Sequence, residues 1–265
     1  MNCNNYNSVK IHFSPEGYSL VSVSNIEKDY FFLLDTGSTK SLLFYTHNKY
    51  KKNEEGNSTS DNSKIQFSLG KHKFNHTFIK DTNISHILKN QSIIGILGVD
   101  FFVKNKCIIN YKDKTFSWKN SEWHNIPATK FLYPLQLGIK KIGMPVICMT
   151  NDFSSIGCLV DTGSTTNIIA ADSLSGFEVK ANSNETSTII LCGRKLNTKI
   201  LNVTFKIANY LSSPIVFKDN FSVISNNIDL YASNSEPYFE GILGNSFLRQ
   251  NKWIIDFSNK AMYFF

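Results

Sequence analysis

Short apolar runs, separated by polar or glycine-containing segments, dominate the hydrophobic pattern of this chain. Residues 9–13, 18–23 and 30–34 form three such runs, rich in the β-branched and aromatic side chains that favour strands. Residues 65–69 alternate between apolar and polar with a period of two, and residues 74–79 form another run after Gly70. This second arrangement predicts a β-hairpin.

The rest of the chain follows the same pattern and has no long helical period. Residues 188–191 and 201–207 predict a hairpin around Gly193, which we interpret as the counterpart of the hairpin at Gly70. The remaining predicted elements are one or two helical turns at 99–103 and at 246–249, and strands at 107–111, 115–118, 253–257 and 261–265. We therefore predict a mainly β, all-β-class protein.

A block of seven residues occurs twice. Residues 33–39 read LLDTGST and residues 159–165 read LVDTGST, an offset of 126 (161 − 35). The similarity continues at the same offset, since Leu42 and Leu43 correspond to Ile168 and Ile169. One such block could be a common turn, but a repeat in register is typical of an internal duplication.

A second block repeats further along each half. The sequence GILG occupies residues 95–98 and 241–244, and Phe101 then corresponds to Phe247. Both blocks come in the same order, which predicts duplication of a unit of roughly 120–140 residues and a pseudo-two-fold arrangement of two lobes. We place the first lobe at residues 1–123 and the second lobe at 131–265. The polar stretch at 124–130, which contains Pro127, is the predicted linker between them.

Composition and charge exclude several classes of protein. The 265 residues are 42% hydrophobic and 18% charged, a globular balance rather than a disordered one. No apolar run approaches the roughly 18–20 residues of a transmembrane helix. The net charge is +7, but the lysines are scattered, so we expect a solvated surface and no nucleic-acid partner.

The cysteines and the start of the chain add little chemistry. Five cysteines are widely spaced and none lies in a C-x-x-C pair, which favours reduced thiols over a zinc or redox site. The first residues are polar and lack the apolar core of a signal peptide. We expect a cytoplasmic protein if the sequence is complete, and a periplasmic or secreted one if a leader was removed.

The repeated Asp-Thr-Gly-Ser is the strongest chemical signal. Asp35 and Asp161 each follow an apolar strand and precede a glycine that permits a tight turn and a close approach of another segment. A two-fold repeat can bring both carboxyls together, and such a pair shares a proton because both cannot ionise easily. One carboxyl then acts as base and the other as acid on a water that attacks a carbonyl, without metal or cofactor.

These paired turns, each followed by an apolar-apolar-glycine block, resemble those of the aspartic peptidases, the pepsin and retropepsin clan. The resemblance spans about residues 9–265 and implies a two-lobed β-barrel fold in one chain, with Asp35 and Asp161 as the catalytic dyad. It further implies that the threonines interlock beneath the dyad, that the turn glycines offer N–H groups to the carboxylates, that the serine hydroxyls bond the outer carboxylate oxygens, and that a second loop passes under each turn at a block glycine. These supporting residues are Thr36, Thr162, Gly37, Gly163, Ser38, Ser164, Gly98 and Gly244.

The chain departs from the pepsin pattern in three ways. The first turn continues Thr39-Lys40-Ser41-Leu42 instead of Ser-Asn-Leu-Trp, no tyrosine stands clearly at a flap position, and the chain is shorter than pepsins. It is therefore closer in character to the shorter, bacterial retropepsin-like proteins. We expect flaps near residues 54–65 and 181–191, and we interpret Gly95 and Gly241 as plain turn residues.

Three classes of function remain to be compared. An aspartic endopeptidase acting on a peptide or protein substrate is the leading interpretation, because both turns are complete. The alternative is a catalytically silent module of the same fold that binds peptides or regulates a partner. A metal site of carboxylates has little support, since only Asp152 and Asp172 lie near the second turn. Both turns lie in one chain, so we expect a monomer.

Overall fold

A computed structural model describes residues 7–23, 30–44, 62–81, 92–118, 132–134, 144–191, 194–207, 214–224 and 239–263. Within these ranges the protein is mostly strand, with two short α-helices, α1 (Val99–Lys104) and α2 (Asn245–Gln250), and a 3-10 helix at Ala171–Leu174. The strands are β1 (Ser8–Lys10), β2 (His12–Phe13), β3 (Ser19–Val23), β4 (Tyr30–Leu34), β5 (Leu42–Phe44), β6 (Asn62–Leu69), β7 (His72–Asp81), β8 (Ile93–Leu97), β9 (Ile108–Asn110), β10 (Thr115–Ser117), β11 (Leu132–Pro134), β12 (Val146–Thr150), β13 (Ser155–Val160), β14 (Asn167–Ala170), β15 (Glu178–Leu191), β16 (Arg194–Ile207), β17 (Ile215–Ile224), β18 (Gly241–Leu243), β19 (Ile254–Asp256) and β20 (Ala261–Tyr263).

The first lobe is a seven-stranded sheet in the order β2-β3-β4-β8-β5-β7-β6. The predicted hairpin is confirmed: β6 and β7 pair antiparallel around Gly70, which has a φ of +57°. Side chains of β6 alternate between exposed and buried over residues 62–67, as expected of a strand with one face on the core, and the last three residues are all buried. The alternation in the sequence therefore reports the face that packs inward.

The second lobe has the matching sheet, in the order β12-β13-β18-β14-β17-β16-β15. Strand β12 also pairs with β16, which curls this sheet towards a barrel. In each lobe the strand that carries the aspartate turn (β4 or β13) is parallel to the strand of the GILG block (β8 or β18). The GILG strand in turn runs antiparallel to the strand after the turn (β5 or β14).

A phenylalanine cluster lies at matching places in the two cores and supports the duplication. In the first lobe Phe74 lies opposite Phe67 in the β6–β7 pair, and in the second lobe Phe217 lies opposite Phe205 in the β16–β17 pair. The rings within each cluster lie in contact with one another. The corresponding members are Phe67 and Phe205, Phe74 and Phe217, Phe78 and Phe221, and Phe101 and Phe247.

A third sheet, in the order β1-β10-β9-β19-β20-β11, contains strands from both halves of the chain. Its centre is the antiparallel pair β9–β19, in which Ile109 lies opposite Ile255. Both side chains are fully buried, so this sheet joins the lobes through the hydrophobic core. The predicted linker at 124–130 lies outside the described residues, and the proposed boundaries stay a prediction.

Two sequence-based interpretations are wrong. Gly95 and Gly241 are not turn residues: Gly95 lies inside β8, and Gly241 is the first residue of β18, paired with strands on both sides. A Cβ on Gly241 would come within 2.8 Å of the Cys158 sulfur, so close strand contact explains the glycine. The hairpin β15–β16 is also not the counterpart of β6–β7, because β17 holds the place of β7 beside the strand after the turn, which makes β16–β17 the counterpart.

Candidate active site

The two aspartates lie where parallel strands of each lobe end. Asp35 follows β4 and its N–H donates to the Leu97 carbonyl at the end of β8, at 3.1 Å. Asp161 follows β13 and its N–H donates to the Leu243 carbonyl at the end of β18, at 2.9 Å. Each turn is therefore anchored to the GILG strand of its own lobe.

The carboxyl groups of Asp35 and Asp161 meet between the lobes, and each lies against the turn glycine of the other lobe. Each one also accepts a hydrogen bond from the glycine of its own turn. Gly37 N–H donates to Asp35 Oδ1, and Gly163 N–H donates to Asp161 Oδ1, both at 2.8 Å. These N–H groups fix the carboxyl planes before any ligand arrives.

Both turn glycines also make room for the opposite carboxyl. A Cβ placed on Gly37 would lie 2.6 Å from Cγ of Asp161, and one on Gly163 would collide in the same way with Asp35. Separations below about 3 Å are not compatible with ordinary packing. The repeated glycine is therefore a requirement for bringing two carboxyls into contact.

Beneath the dyad, Thr36 and Thr162 bond across the lobes in a reciprocal pattern. The N–H of each threonine donates to the hydroxyl of the other at 3.0 Å. Each hydroxyl then donates to a carbonyl of the opposite lobe, Thr36 to Val160 at 2.5 Å and Thr162 to Leu34 at 2.8 Å. Both threonines are fully buried, so the four bonds form a desolvated link between the two turns.

Replacing Thr162 by Val is expected to lower the free energy of unfolding by about 3 kcal/mol, because it leaves the buried Thr36 N–H and Leu34 carbonyl without partners. Chemical denaturation measures this. The matched control is Thr150→Val, whose hydroxyl makes one weaker bond to Lys206 at 3.3 Å. An equal cost for the two variants would contradict the special role of the cross-lobe link.

The serine hydroxyls do not bond the outer carboxylate oxygens, contrary to what the resemblance implied. Ser38 Oγ donates to the Lys40 carbonyl and Ser164 Oγ donates to the Thr166 carbonyl, both at 2.7 Å. A serine hydroxyl can close a local turn by donating to the backbone carbonyl two residues later. Here both serines make this bond instead of a bond to a carboxylate. It is the backbone N–H of Ser164 that reaches Asp161 Oδ1, at 3.2 Å.

Gly98 and Gly244 lie where the GILG block passes under each turn. A Cβ on Gly98 would come 2.6 Å from the Lys40 carbonyl oxygen, and one on Gly244 would come 2.9 Å from the Ser164 carbonyl oxygen. The following residues fasten the same turns, since Val99 N–H donates to the Ser38 carbonyl at 2.9 Å. The structure thus brings all ten predicted site residues into one region around the lobe interface.

The electrostatics of the dyad are asymmetric. Burial raises the pKa of Asp35 well above its usual range, and the neighbouring charge of Asp161 raises it further. Burial also raises the pKa of Asp161, but N–H groups of Gly163, Ser164 and Gly37 and the hydrogen bond with Asp35 oppose that effect. The two carboxyls therefore share one proton over a range of pH.

Sequence reasoning missed the polar residues that surround the dyad. Tyr18 lies near it: its pKa is raised by burial and by the charges of Glu16, Asp35 and Asp161. A buried cluster crosses the lobes behind Asp161, where Asn245 Nδ2 donates to the Thr162 carbonyl at 2.7 Å. The side-chain oxygen of Asn245, Oδ1, accepts from the Ser19 hydroxyl at 2.9 Å and from the Tyr111 hydroxyl. These residues lie outside both repeated blocks or differ between the halves, so no repeat could indicate them.

The flap predictions have mixed outcomes. Residues 54–61 lie outside the described residues, and residues 62–65 belong to β6. In the second lobe, residues 181–191 form the greater part of β15, the first strand of a hairpin with β16. Ile189 of this hairpin is buried against an apolar cluster with Leu159, Ile168 and Ile242, beside the Asp161 turn. The hairpin therefore covers apolar side chains of the strands that lead into and out of the Asp161 turn.

Neither a metal cluster nor a membrane-spanning helix is present in the described part of the chain. No group of three or more His, Cys, Asp or Glu side chains is placed to hold a metal ion there. Asp152 pairs with Lys206 instead. The helices among these residues are too short and too polar to cross a bilayer.

The sequence matches no protein-family model and no curated protein. Solved structures do match over nearly the whole chain. An aspartic proteinase from Irpex lacteus is 14% identical, with a TM-score of 0.53, and the match covers 97% of this chain and 96% of that one. Basic 7S globulin from soybean is 9% identical, with a TM-score of 0.54, covering 98% and 95%. The chain thus has the two-lobed, mainly β fold of aspartic proteinases, as predicted.

Proposed function

We propose that the protein is an aspartic-type endopeptidase that hydrolyses peptide bonds with a water held between Asp35 and Asp161. The observation that carries the proposal is the close approach of these two carboxyls, each of which lies against the turn glycine of the other lobe and accepts an N–H from its own turn. A pair that shares one proton supplies an acid and a base at the same pH. No structural role of a turn requires two buried carboxyls in contact.

The asymmetry of the pair assigns the first step. The Asp161 carboxylate, which accepts more N–H donors, takes a proton from the water as its oxygen attacks the scissile carbonyl carbon. Asp35 gives its proton to the carbonyl oxygen, which yields a neutral gem-diol. In the second step Asp161 gives its proton to the nitrogen of the scissile bond while Asp35 takes a proton from one gem-diol hydroxyl. The C–N bond then breaks, and a carboxylic acid and an amine leave with Asp35 protonated and Asp161 ionised, as at the start.

The substrate is expected to be an extended peptide or protein segment. Hairpin β15–β16 lies beside the Asp161 turn and could add a backbone strand to such a segment. Since one chain supplies both aspartates, a monomer suffices for the complete dyad. The finer part of this proposal is a bacterial retropepsin-like character, for which the support is the departure of the first turn from the pepsin pattern at Thr39-Lys40-Ser41-Leu42.

Cleavage of a mixed peptide library between pH 3 and 8, followed by mass spectrometry, tests the proposal. We expect cleavage by the wild type at a restricted set of bonds and inhibition by a statine-type peptide, which imitates the tetrahedral intermediate. Absence of cleavage over the whole range, with no inhibitor binding in calorimetry, would overturn it.

A peptide-binding module without catalysis is the second candidate. One structural neighbour is named a proteinase and the other a globulin, so the fold is shared by proteins with different names. For this candidate we expect library peptides to bind and to remain intact. Peptide binding that is unchanged by Asp35→Asn, together with no cleavage, would favour the module.

A further inference from the structure

A second cluster of ionisable side chains lies in the first lobe, beside the Asp35 turn, and takes no part in the proposed chemistry. Ser41 precedes β5, His76 lies in β7, and Asp100 lies in α1. The Ser41 hydroxyl donates to Asp100 Oδ1 at 2.7 Å and lies 3.0 Å from His76 Nε2. The same ring nitrogen lies 3.6 Å from Asp100 Oδ2. Three separate elements thus meet at one buried hydroxyl.

The geometry of this cluster does not suit a nucleophilic serine. Ser41 is fully buried, and its proton points to a carboxylate, whereas a serine nucleophile needs an exposed oxygen with its proton on the histidine. Moreover, Nδ1 of His76 has no hydrogen-bond partner among the described residues, so the ring has no second group to orient it. The cluster must act on something else that it contacts.

That contact is Gly98. The Ser41 oxygen accepts a hydrogen bond from Gly98 N–H at 3.0 Å. The neighbours of Gly98 hold the Asp35 turn from both sides: the Leu97 carbonyl accepts from Asp35 N–H, and Val99 N–H donates to the Ser38 carbonyl. A shift of the Gly98 peptide would therefore move both anchors of the turn that carries the Asp35 carboxyl.

The second lobe has the same backbone anchors with a simpler support. Gly244 N–H donates to Asn167 Oδ1 at 2.9 Å, and Asn167 lies as many residues after Asp161 as Ser41 lies after Asp35. Asn245 N–H donates to the Ser164 carbonyl at 2.7 Å, as Val99 does in the first lobe. The Asn167 side-chain amide of the second lobe thus takes the place of the Ser41 hydroxyl of the first. In the first lobe that hydroxyl is in turn held by His76 and Asp100.

We propose that Ser41, His76 and Asp100 are positioning residues for the Asp35 carboxyl, acting through Gly98 on the turn that carries it. The consequence for catalysis rests on the proposed endopeptidase function, while the effect on Asp35 itself does not. Asp100 Oδ1 accepts from the Ser41 hydroxyl and from Phe101 N–H at 2.8 Å, and His76 Nε2 lies 3.6 Å from Oδ2, an environment that favours the ionised carboxylate. The network thus supplies a fixed charge at the back of the turn.

The ionisation of Asp100 suits an acidic working range. Burial raises its pKa, but hydrogen bonds from His76 and Ser41 outweigh this, and the pKa lies below its ordinary value. The titratable groups nearby are His76 on β7 and, on α1 itself, Lys104, whose ammonium donates to the Asn75 carbonyl at 3.5 Å. A lowered carboxyl pKa means that this stabilisation is present above the unfolded pKa and is lost only as pH falls through the folded one.

The first arm of the test compares Asp100→Asn with Asp256→Asn. Asp256 is also buried and also holds a local turn, through Ser258, but it lies in the sheet that joins the lobes, and its hydrogen bonds among the described residues stay within its own turn. We expect Asp100→Asn to lower kcat about tenfold or more with KM little changed, because misplaced catalytic groups lower the rate of the chemical step. Asp256→Asn should leave kcat within about twofold.

A second arm does not need activity. The free energy of unfolding is measured against pH for the wild type and Asp35→Asn, and the difference reports the ionisation of Asp35. The same difference, with and without Asp35→Asn, is then measured in proteins that also carry Asp100→Asn or Asp256→Asn. We expect Asp100→Asn to change its pH dependence and Asp256→Asn to leave it unaltered. A wild type without cleavage activity would contradict the endopeptidase function, but this arm would still test the positioning role because it measures only stability. Equal results for both Asn variants in this arm would overturn the positioning role.

Rescue by the support of the second lobe completes the test. The double variant Ser41→Asn, Asp100→Ser installs the residues that stand at the matching positions, Asn167 and Ser246. We expect it to recover most of the kcat and the Asp35 ionisation lost in Asp100→Asn. If Asp100→Asn fails to fold, Ser41→Ala takes its place in both arms. A double variant that is as impaired as the single one would count against the proposal.

Discussion

Replacing either Asp35 or Asp161 by Asn is expected to lower peptide cleavage by roughly 10⁴-fold, because each variant removes either the acid or the base of the shared-proton pair. Both variants should fold, since Asn has nearly the same shape and retains an acceptor for the turn N–H at 2.8 Å. Single-turnover cleavage of one library-derived peptide measures the loss. Asp172→Asn, an exposed carboxylate soon after the second turn, is the control and should retain full activity.

The same variants have a predicted effect on stability that is independent of activity. The folded pKa of Asp35 is raised by burial and by Asp161, so the fold favours the protonated form. Such a group contributes stability that is present below the unfolded pKa and is lost as pH rises towards the folded value. Asp35→Asn resembles the protonated form at every pH. It should therefore be more stable than the wild type near neutral pH, with the difference vanishing in strong acid.

Activity and stability together discriminate between the two candidate functions. A peptidase with a shared proton should show a bell-shaped dependence of kcat/KM on pH, because the dyad must carry one proton. The stabilisation of Asp35→Asn at neutral pH needs only the contact of the two carboxyls. If Asp35→Asn is stabilised at neutral pH but the wild type cleaves no peptide, the result supports the contact of the two carboxyls and favours the peptide-binding module over the peptidase. If neither is found, the contact between Asp35 and Asp161 is itself contradicted.

Much of the fold could be predicted from the sequence because duplication doubles each signal. A single Asp-Thr-Gly turn is common, but the repeat of Asp35 at Asp161, with a GILG block after each, requires two similar lobes. The alternating pattern of β6 likewise reported its buried face. The repeat did not show whether β15–β16 or β16–β17 in the second lobe corresponds to the hairpin β6–β7 in the first. Pairing of β17 with β14 decides this, and such a long-range contact leaves no local pattern.

The candidate site divides in the same way. Thr36 and Thr162 were identified because both copies of the motif contain them, and their reciprocal bonds follow from the symmetry. The Ser38 hydroxyl was misassigned, because the sequence does not tell whether it bonds a carboxylate or the nearer Lys40 carbonyl. Ser41 and its lobe-two equivalent Asn167 are different residue types that accept the same kind of N–H bond. Position in the fold, not residue identity, makes them equivalent.

Gly244→Ala is expected to be among the most destabilising single substitutions in the chain, with a loss of about 3 kcal/mol or more in the free energy of unfolding. The added Cβ would meet backbone of the Asp161 turn, including the Ser164 carbonyl oxygen at 2.9 Å, and backbone cannot rotate away as a side chain can. Relief requires movement of the turn, so cleavage should fall even in molecules that remain folded. Thermal denaturation and the kcat of the folded fraction measure both effects.

Gly157→Ala is the matched control, because it also lies in the second lobe, inside β13, and a Cβ there would meet only Val146 Cγ1 at 3.9 Å. That is an ordinary van der Waals contact, so this variant should change stability by less than about 1 kcal/mol and leave cleavage intact. Gly98→Ala provides the test of symmetry, since its Cβ would meet the Lys40 carbonyl oxygen at 2.6 Å in the first lobe. Because the two block glycines pass under equivalent turns, their costs should agree within about 1 kcal/mol. A Gly98→Ala protein as stable as Gly157→Ala would show that the first turn can move aside and that only the Asp161 turn is held rigidly from below.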